Sequence, residues 1–592
     1  MNQFFRIVGF YIRQFRRRYL SNDSFLLLLA IVIGSVSGMS AAVVKTMAHW
    51  VIIFLTRDFV PNITEYLYFS LPFLGILTTS FLVRWLNNGY LSKGIPSVMY
   101  SILKNDAQMQ KRQIYLQPLT AFITVGFGGS AGFEGPLVSA SASLAANIGL
   151  WWQLHYRERS ILIACAAAGV TAANFKAPIT GVLFALEILQ MELRVANMVP
   201  ILFASVSGLM MNYLLFGEAI LFNFQLAQGF SYSELPYYIL LGGVCGASAI
   251  HFTKTNLWLE GQFKKLPSRL SKAVVGGSLL GICIFIFPPL FGEGYYAIKL
   301  LMRGESTILL QNTLFASLPY QDIVLLLFLL VTALLKTVAC SFTSSGGGNG
   351  GIWAAFLFMG GLMGYVFSHA CNVLFGLCLP EPNYILASMA GVSSGVLLAP
   401  LVGIFLALEI SKGYEMLLPV MLVSGVSYII SRRYISYSLF QTALVRKGHW
   451  IATNKDLQLL VKLPIRSLIE QDIAILSPHQ YLGDLVQCIK SSSRNIFAVV
   501  DKEQLVGIIL LDDVRQYIFS PDLYQTYLIE EIMHAPLAII DVGVDDAETV
   551  VAKFEQTNAW NLPVIDNRHY LGFLSKAKIL AAYRQQLREL GE

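Results

Sequence analysis

Long apolar runs separated by short polar stretches fill the chain up to about residue 431 of 592. A helix needs about 17–25 apolar residues to cross the ~30 Å hydrocarbon core of a bilayer. The pattern therefore predicts an all-α polytopic membrane protein, followed by a tail of ordinary polarity. The runs lie at 24–55, 69–86, 116–152, 160–190, 197–216, 236–252, 272–292, 322–340, 352–378 and 384–430.

Composition agrees with this pattern. The chain is 55% hydrophobic and only 13% charged, which excludes a soluble protein of average makeup. The net charge of +6 is small and concentrated at the flanks of the apolar region, so it indicates lipid contact and topology, and no nucleic-acid partner. We find no cluster of metal ligands, no nucleophile–base pair and no phosphate-binding G-x-x-x-x-G-K-[ST] loop, so we expect neither an enzyme nor a required cofactor.

Arginines flank the apolar region at both ends. Five lie between Arg6 and Arg18, and Arg432 and Arg433 follow the last run. Positively charged flanks stay in the cytoplasm, so we expect both termini to be cytoplasmic. The first run has no small-residue cleavage site of a signal peptide, which favours a bacterial inner (plasma) membrane location.

The apolar region contains an internal repeat. Residues 168–188 (AGVTAANFKAPITGVLFALEI) and 390–410 (AGVSSGVLLAPLVGIFLALEI) align without a gap and are identical at ten positions. Each copy carries an A-P-x-x-G interruption, and paired broken helices are typical of transporters that hold their substrate near the midplane. Kinks that only aid packing are the alternative. The predicted segments are a cytoplasmic 1–23, a membrane domain 24–440 and, within it, halves at about 24–216 and 236–440.

Glycine-rich segments precede both copies of the repeat, GGSAGFEGP at 128–136 and SSGGGNGGIWAA at 344–355. Dense glycine lets the backbone approach a ligand, and unpaired N–H groups at helix starts attract anions. Glu134 is the lone acidic or basic charge between Arg112 and Arg157. We interpret it as a carboxylate that competes with an anion for those N–H groups; the alternative is a cap of its own helix.

These segments resemble the CLC family of chloride channels and chloride/proton exchangers. GFEGP (132–136) is similar to the family's G-R-E-G-P, SKGIPSV (92–98) to G-S-G-I-P-E-V, and GGIWAAFLFMGG (350–361) to G-G-I-F-A-P-x-L-F-x-G. The resemblance implies an inverted repeat with broken and re-entrant helices, a homodimer and chloride as substrate. It implies a gate at Glu134, anion contacts at Lys93, Gly94, Ile95, Gly132, Phe133, Gly135, Ile352 and Trp353, and an inner tyrosine at Tyr437, with Tyr434 as second choice.

The chain departs from the family pattern at the anion loops. Lys93 stands where a serine is usual, Phe133 replaces an arginine, and Trp353 and Ala355 replace phenylalanine and proline. The Lys93 ammonium either reaches the anion path and tightens binding, or extends to the cytoplasmic interface.

A further departure concerns proton coupling. Family exchangers have a second glutamate that passes protons to the gate from inside, and this chain has Ile188 at that position. Isoleucine cannot carry a proton. The change favours a gated chloride channel, with a chloride/proton antiporter as the alternative and a non-transporting membrane sensor as a remote third.

The tail, after a predicted linker at 441–464, resembles a pair of CBS domains. A strand, a second strand that begins near a glycine, and a helix recur at an offset of about 65 residues, which predicts domains at 465–520 and 529–590. In nucleotide-binding members G-x-x-[ST]-x-x-D supplies a hydroxyl and a carboxylate to the ribose. Here the first copy keeps Asp513 and the second keeps Ser575, so each site is half formed. The alternatives are an adenine-nucleotide site and a dimerising module without ligand.

Overall fold

The structure is a computed structural model that describes residues 21–57, 64–217, 230–311, 313–319, 321–411, 413–446, 465–492, 494–545 and 547–589. It divides into two compact units, Met1–Gly448 and His449–Glu592. The predicted N-terminal segment 1–23 and the predicted linker 441–464 lie outside the described residues, apart from 21–23 and 441–446.

The membrane unit is built from helices. In the first half these are α1 Asn22–Arg57, α2 Thr64–Asn87, α3 Ile95–Lys104, α4 Gln113–Gly126, α5 Glu134–Trp151, α6 Tyr156–Phe175, α7 Pro178–Leu183 with a π-helical extension Phe184–Ile188, and α8 Val195–Phe216. In the second half they are α9 Leu235–Lys264, α10 Arg269–Ile286, α11 Tyr295–Met302, α12 Gln321–Ser345, α13 Trp353–Phe375, α14 Glu381–Leu397, α15 Pro400–Ser411, α16 Leu417–Tyr434 and α17 Leu439–Val445.

Six helices in the described part are long and apolar enough to cross a membrane. Of the other apolar runs, 69–86 lies within the single helix α2, and three are divided where glycine and proline interrupt them: 116–152 becomes α4 and α5, 160–190 becomes α6 and α7, and 384–430 becomes α14, α15 and α16. The predicted broken helices are therefore present. The six candidate spans are Asn22–Ile52, Val195–Phe216, Tyr232–Lys264, Arg269–Ile286, Gln321–Ser345 and Trp353–Phe375.

The two copies of the repeat break in the same way. Lys176 ends α6 with φ 54°, and Leu398 ends α14 with φ 53°, both in the left-handed region. A proline, Pro178 or Pro400, then starts the next helix, where its missing N–H costs nothing. Because these positions correspond in the repeat alignment, the helix break belongs to the repeated unit.

The repeats also cap each other. The Glu409 carboxylate accepts hydrogen bonds from the N–H groups of Ile179 and Thr180, both at 2.8 Å, and from the Thr180 hydroxyl at 2.6 Å. In return, Glu187 accepts from the N–H groups of Leu401 at 3.2 Å and Val402 at 2.8 Å. Each half therefore supplies the acid that pairs the first N–H groups of the other half's interrupted helix. This exchange gives both glutamates a structural role.

In the tail unit, one six-stranded sheet is shared by two related halves. Its strands are β1 Ile475–Leu476, β2 Ile496–Asp501, β3 Gln504–Leu510, β4 Ile540–Asp541, β5 Asn561–Asp566 and β6 His569–Ser575. Its helices are α18 Leu482–Ser491, α19 Leu511–Val514, α20 Ile529–Ile532, α21 Ala547–Thr557 and α22 Lys576–Glu589.

The strand order is β1-β2-β3-β6-β5-β4, so the halves meet at β3 and β6. Within each half the short first strand pairs in parallel and the next two pair antiparallel. Strands β5 and β6 repeat β2 and β3 at an offset of 65 residues, as the sequence predicts. The predicted fold class, a helical membrane domain followed by an α/β pair, is confirmed.

The reciprocal caps generate a stability prediction. Glu409→Ala leaves the N–H groups of Ile179 and Thr180 without their acceptor, and we expect this to cost about 1–3 kcal/mol of the free energy of unfolding. The measurement is the apparent Tm of the purified protein in detergent. Glu305→Ala, which removes an exposed carboxylate, is the control and should leave the Tm unchanged. Equal Tm values for the two variants would contradict the capping role.

Candidate functional site

Three glycine loops meet at the middle of the membrane unit. Gly132 and Gly351 exchange both backbone hydrogen bonds, at 2.9 Å and 2.6 Å. A Cβ added to Gly351 would lie 2.8 Å from the Gly135 nitrogen, and one added to Gly94 would lie 3.5 Å from the Gly135 carbonyl carbon. Gly94 also has φ 58°, which L side chains rarely adopt. Gly351 is therefore needed for close backbone contact between the two halves, and Gly94 for the left-handed backbone before α3.

Three helices begin at this meeting point: α3 at Ile95, α5 at Glu134 and α13 at Trp353. None of the three has a side-chain hydrogen bond at its N-cap. The first N–H groups of a helix lack intrahelical partners and carry a partial positive charge, so together they form a site suited to an anion.

A cavity of about 490 Å³ opens onto these loops. Six of the predicted anion-site residues line it: Lys93, Gly94, Ile95, Gly135, Ile352 and Trp353. It is also lined by three more basic residues and one acid, Lys264, Arg269, Lys272 and Glu260. The excess of positive charge favours the entry of anions. The structure thus brings together predicted site residues that lie up to 260 positions apart in sequence.

Glu134 lies at the first position of α5 and is only 3% exposed. Its Oε1 accepts a hydrogen bond from the Tyr295 hydroxyl at 3.5 Å. Its Oε2 is buried and has no hydrogen-bond donor among the described residues. A buried carboxylate with an unused oxygen is costly, and such groups mark functional sites. Phe133, its predicted neighbour in the anion site, is 2% exposed and forms the N-cap of α5.

The position of Lys93 combines features of both expectations, the anion path and the exposed interface. Lys93 lines the cavity, yet its Nζ forms an ion pair with Glu260 Oε1 at 2.6 Å and its side chain is 54% exposed. Glu260 is also within 3.5 Å of Lys264 and 4.0 Å of Arg446. Sequence reasoning missed Glu260; the available signal was an acid near the end of an apolar run, four residues before Lys264.

The indole side chain of Trp353 also lies at the site, in addition to the predicted backbone N–H. The indole is 1% exposed and packs against Phe175, Phe184 and Phe356 with ring centroids 5.3–5.7 Å apart. Its Nε1–H has no acceptor among the described residues although the residue lines the cavity. A buried N–H without an acceptor is costly, so this donor is available to a ligand in the cavity.

The predicted inner tyrosine is not among the residues that line the cavity. Tyr437 is half-buried just before α17, and Tyr434 is 63% exposed. The Ser438 side chain caps α17, and the following helix directs Leu439 and Phe440 to the cavity instead. Ile188, at the end of the π-helical extension, is buried at 5% exposure.

The two predicted nucleotide residues of the tail already have protein partners. Asp513 Oδ2 accepts from the N–H of Leu510 at 3.0 Å and lies 2.8 Å from His534 Nε2. The Ser575 hydroxyl donates to Glu470 Oε1 at 3.0 Å. The structure does not bring them to one place: Ser575 lines an open cleft of about 760 Å³, and Asp513 is not among its lining residues.

Charged side chains dominate this cleft. Arg494 donates to both oxygens of Asp472, at 3.0 Å and 2.9 Å, and these hydrogen bonds hold the pKa of Asp472 below its usual range. Arg494 also lies 2.7 Å from Glu470, and Lys578 lies 4.0 Å from the same carboxylate. A nucleotide would have to compete with these ion pairs, so nucleotide binding stays a prediction.

Family models match both parts of the chain. Residues 74–432 match the family model described as "Voltage gated chloride channel", and residues 465–520 match the CBS domain model. The chain is 26% identical over 459 residues to the chloride channel protein CLC-f of Arabidopsis thaliana, covering 68% of this chain and 57% of that protein. It therefore spans little more than half of the plant relative's length.

Two further similarities cover more of the compared protein. The H(+)/Cl(-) exchange transporter ClcA of Salmonella paratyphi A is 26% identical over 450 residues, which covers 73% of this chain and 91% of the relative. The crystal structure of a slow cyanobacterial Cl−/H+ antiporter superposes with a TM-score of 0.61 at 21% identity, covering 72% of this chain and 98% of the other. At that identity the superposition shows the fold alone.

The unpaired indole generates a binding prediction. Trp353→Phe removes the Nε1–H donor and keeps the aromatic packing, so we expect chloride affinity to fall by about threefold to tenfold. Isothermal titration of the purified protein with chloride measures this. Trp258→Phe is the matched control, since Trp258 is 61% exposed. Unchanged affinity in Trp353→Phe would mean that the indole does not contact the anion.

Proposed function

Because the chain belongs to the family of voltage-gated chloride channels, the CLC family, we propose that it conducts chloride-sized anions through the site described above, with Glu134 as its gate. The observation that carries this proposal is the position of that carboxylate. Glu134 is buried where the helix starts of the two halves meet, beside a cavity lined by Gly135, Ile352 and basic side chains.

The helix starts provide binding without trapping the ion. Partial charges on N–H groups hold an anion more weakly than a buried lysine would, so the anion can also leave. An ionised Glu134 is a tethered competitor for the same N–H groups. Protonation removes its charge, so Glu134 no longer competes with the anion for these N–H groups.

A channel is favoured over an exchanger by the residue at the inner side of the gate. Ile188 is buried and aliphatic, so it cannot pass a proton to Glu134. We infer that anions move without obligatory proton exchange. We also propose, from family membership, a homodimer and, from the arginines that flank the apolar region, cytoplasmic termini. A bacterial inner membrane location and the lack of enzymatic activity stay predictions.

Glu134→Gln tests the gate. The amide mimics the protonated acid, so we expect chloride flux from reconstituted liposomes to rise severalfold at neutral pH, and its pH dependence between about pH 5 and about pH 8 to disappear. Chloride efflux is recorded with an ion-selective electrode over this pH range.

Two outcomes would contradict this proposal in different ways. Wild-type liposomes that stay tight to chloride would favour the sensor hypothesis. A Glu134→Gln variant with unchanged flux and unchanged pH response would show that another group is the gate. Glu305→Gln, an exposed carboxylate of the same unit, is the control and should behave as wild type.

Chloride/proton exchange is the second candidate, and Glu260 is the observation that favours it. It is a carboxylate that lines the cavity, in ion-pair contact with Lys93. Such a group can take up a proton from the cavity solvent, a role that Ile188 cannot fill. An exchanger built on this fold would therefore use Glu260 in place of the missing glutamate.

The exchanger hypothesis predicts the behaviour of Glu260→Gln. A chloride gradient would drive proton movement in wild type, and the variant would lose proton flux by about tenfold or more while it retains chloride flux. A pH-sensitive dye inside the liposomes measures the protons. If wild type moves chloride without any proton signal, the channel proposal stands and the exchanger is excluded.

A further inference from the structure

A second group of charged side chains lies beside Glu134, away from the cavity. It consists of Lys45 on α1, Glu293 in the loop before α11, and Tyr295 at the start of α11; none of them is among the residues that line the cavity. Lys45 Nζ lies 3.9 Å from Glu293 Oε2 and 5.6 Å from the centre of the Tyr295 ring. We call Lys45, Glu293 and Tyr295 the gate-side cluster.

The cluster is held in place by a buried lysine. Lys336 on α12 is 0% exposed, and its ammonium donates to the carbonyls of Gly292 at 2.8 Å and Leu290 at 3.3 Å. The Gly292 N–H donates to the Gly128 carbonyl at 3.2 Å, in the loop that leads to Glu134. The loop that carries Glu293 is therefore fixed to the loop that carries the gate.

The charges in the cluster have unused bonding capacity. Lys45 Nζ, Glu293 Oε1 and Glu134 Oε2 are buried and, among the described residues, have no hydrogen-bond partner. The Lys45 and Glu293 side chains are 22% and 15% exposed. At 3.9 Å the pair is in Coulombic contact without a hydrogen bond, so neither charge is fully compensated by the other.

The cluster reaches Glu134 through Tyr295, whose hydroxyl lies 3.5 Å from Glu134 Oε1 and whose ring centre lies 5.6 Å from Lys45 Nζ. Lys45 and Glu293 are therefore close enough to Glu134 for their charges to influence its ionisation. A positive charge stabilises ionised Glu134, and a negative charge stabilises its protonated form. The other titratable side chains next to the cluster, among the described residues, are Lys299 on α11 and Lys336 on α12. Both are basic, which leaves Glu293 as the acid that opposes Lys45.

We propose that Lys45 and Glu293 set the pH at which Glu134 opens the anion path, Lys45 by favouring the ionised gate and Glu293 by favouring the protonated gate. This inference rests on the proposed function, since it needs Glu134 to act as a pH-dependent gate. Lys45 and Glu293 are positioning residues that act through Glu134. The Tyr295 hydroxyl orients the gate by donating to its Oε1.

The test is the midpoint of the pH dependence of chloride flux in liposomes that contain the full chain. Glu293→Gln removes the opposing negative charge, so the gate should open only at lower pH, with the midpoint moved down by about one pH unit. Lys45→Gln removes the positive charge, and the midpoint should move up by a similar amount. Lys45→Arg keeps the charge and should restore the wild-type midpoint.

The controls separate this inference from the function that it rests on. Glu305→Gln and Lys265→Gln change exposed charges and should leave the midpoint unchanged. The double variant Glu134→Gln with Glu293→Gln should be as pH-independent as Glu134→Gln alone. If wild type shows no flux, or Glu134→Gln stays pH-dependent, the proposed function fails. If both behave as expected but Glu293→Gln and Lys45→Gln leave the midpoint in place, or move it in the same direction, the inference alone is overturned.

Discussion

Unpaired backbone N–H groups inside a membrane are the constraint on which this structure depends. Hydrocarbon offers no hydrogen-bond partners, so a helix that starts within the bilayer must find an acceptor for its first N–H groups. Two arrangements of these helix starts occur in this chain. At α7 and α15 the acceptor is a glutamate from the other half of the repeat, with bonds of 2.6–3.2 Å. At α3, α5 and α13 the caps lack a side-chain bond, and the helix starts face one another across glycine loops.

The two kinds of helix start differ in whether their glutamate is fully hydrogen-bonded, and this difference distinguishes a structural role from a functional one. Glu187 and Glu409 are committed to N–H groups of the opposite half, which ties the halves together. Glu134 sits at a buried helix start and keeps one oxygen without a donor among the described residues. A fully bonded carboxylate is a cap, whereas a partly bonded one can be displaced by an anion that satisfies the same groups.

Charged side chains lie on two sides of Glu134. The cavity side carries the basic groups and the ion pair of Lys93 with Glu260 at 2.6 Å. The other side carries Lys45 with Glu293, at the longer distance of 3.9 Å. The charges of a close ion pair largely cancel at neighbouring groups, whereas the charges of a more widely separated pair leave an electric field there. The looser pair is therefore the one that we propose acts on Glu134.

The sequence alone determined the fold class, the repeat, the resemblance to CLC proteins and the cluster of Gly94, Gly135, Ile352 and Trp353, because hydropathy, a gapless repeat and glycine motifs are local signals. The family match and the helical fold confirm the fold class and the family resemblance. Only the tertiary structure decided the partners of Lys93, the unused indole N–H of Trp353 and the position of Glu293 beside Glu134. These three features depend on contacts between residues far apart in the chain. Local sequence patterns do not show which of these residues meet after folding.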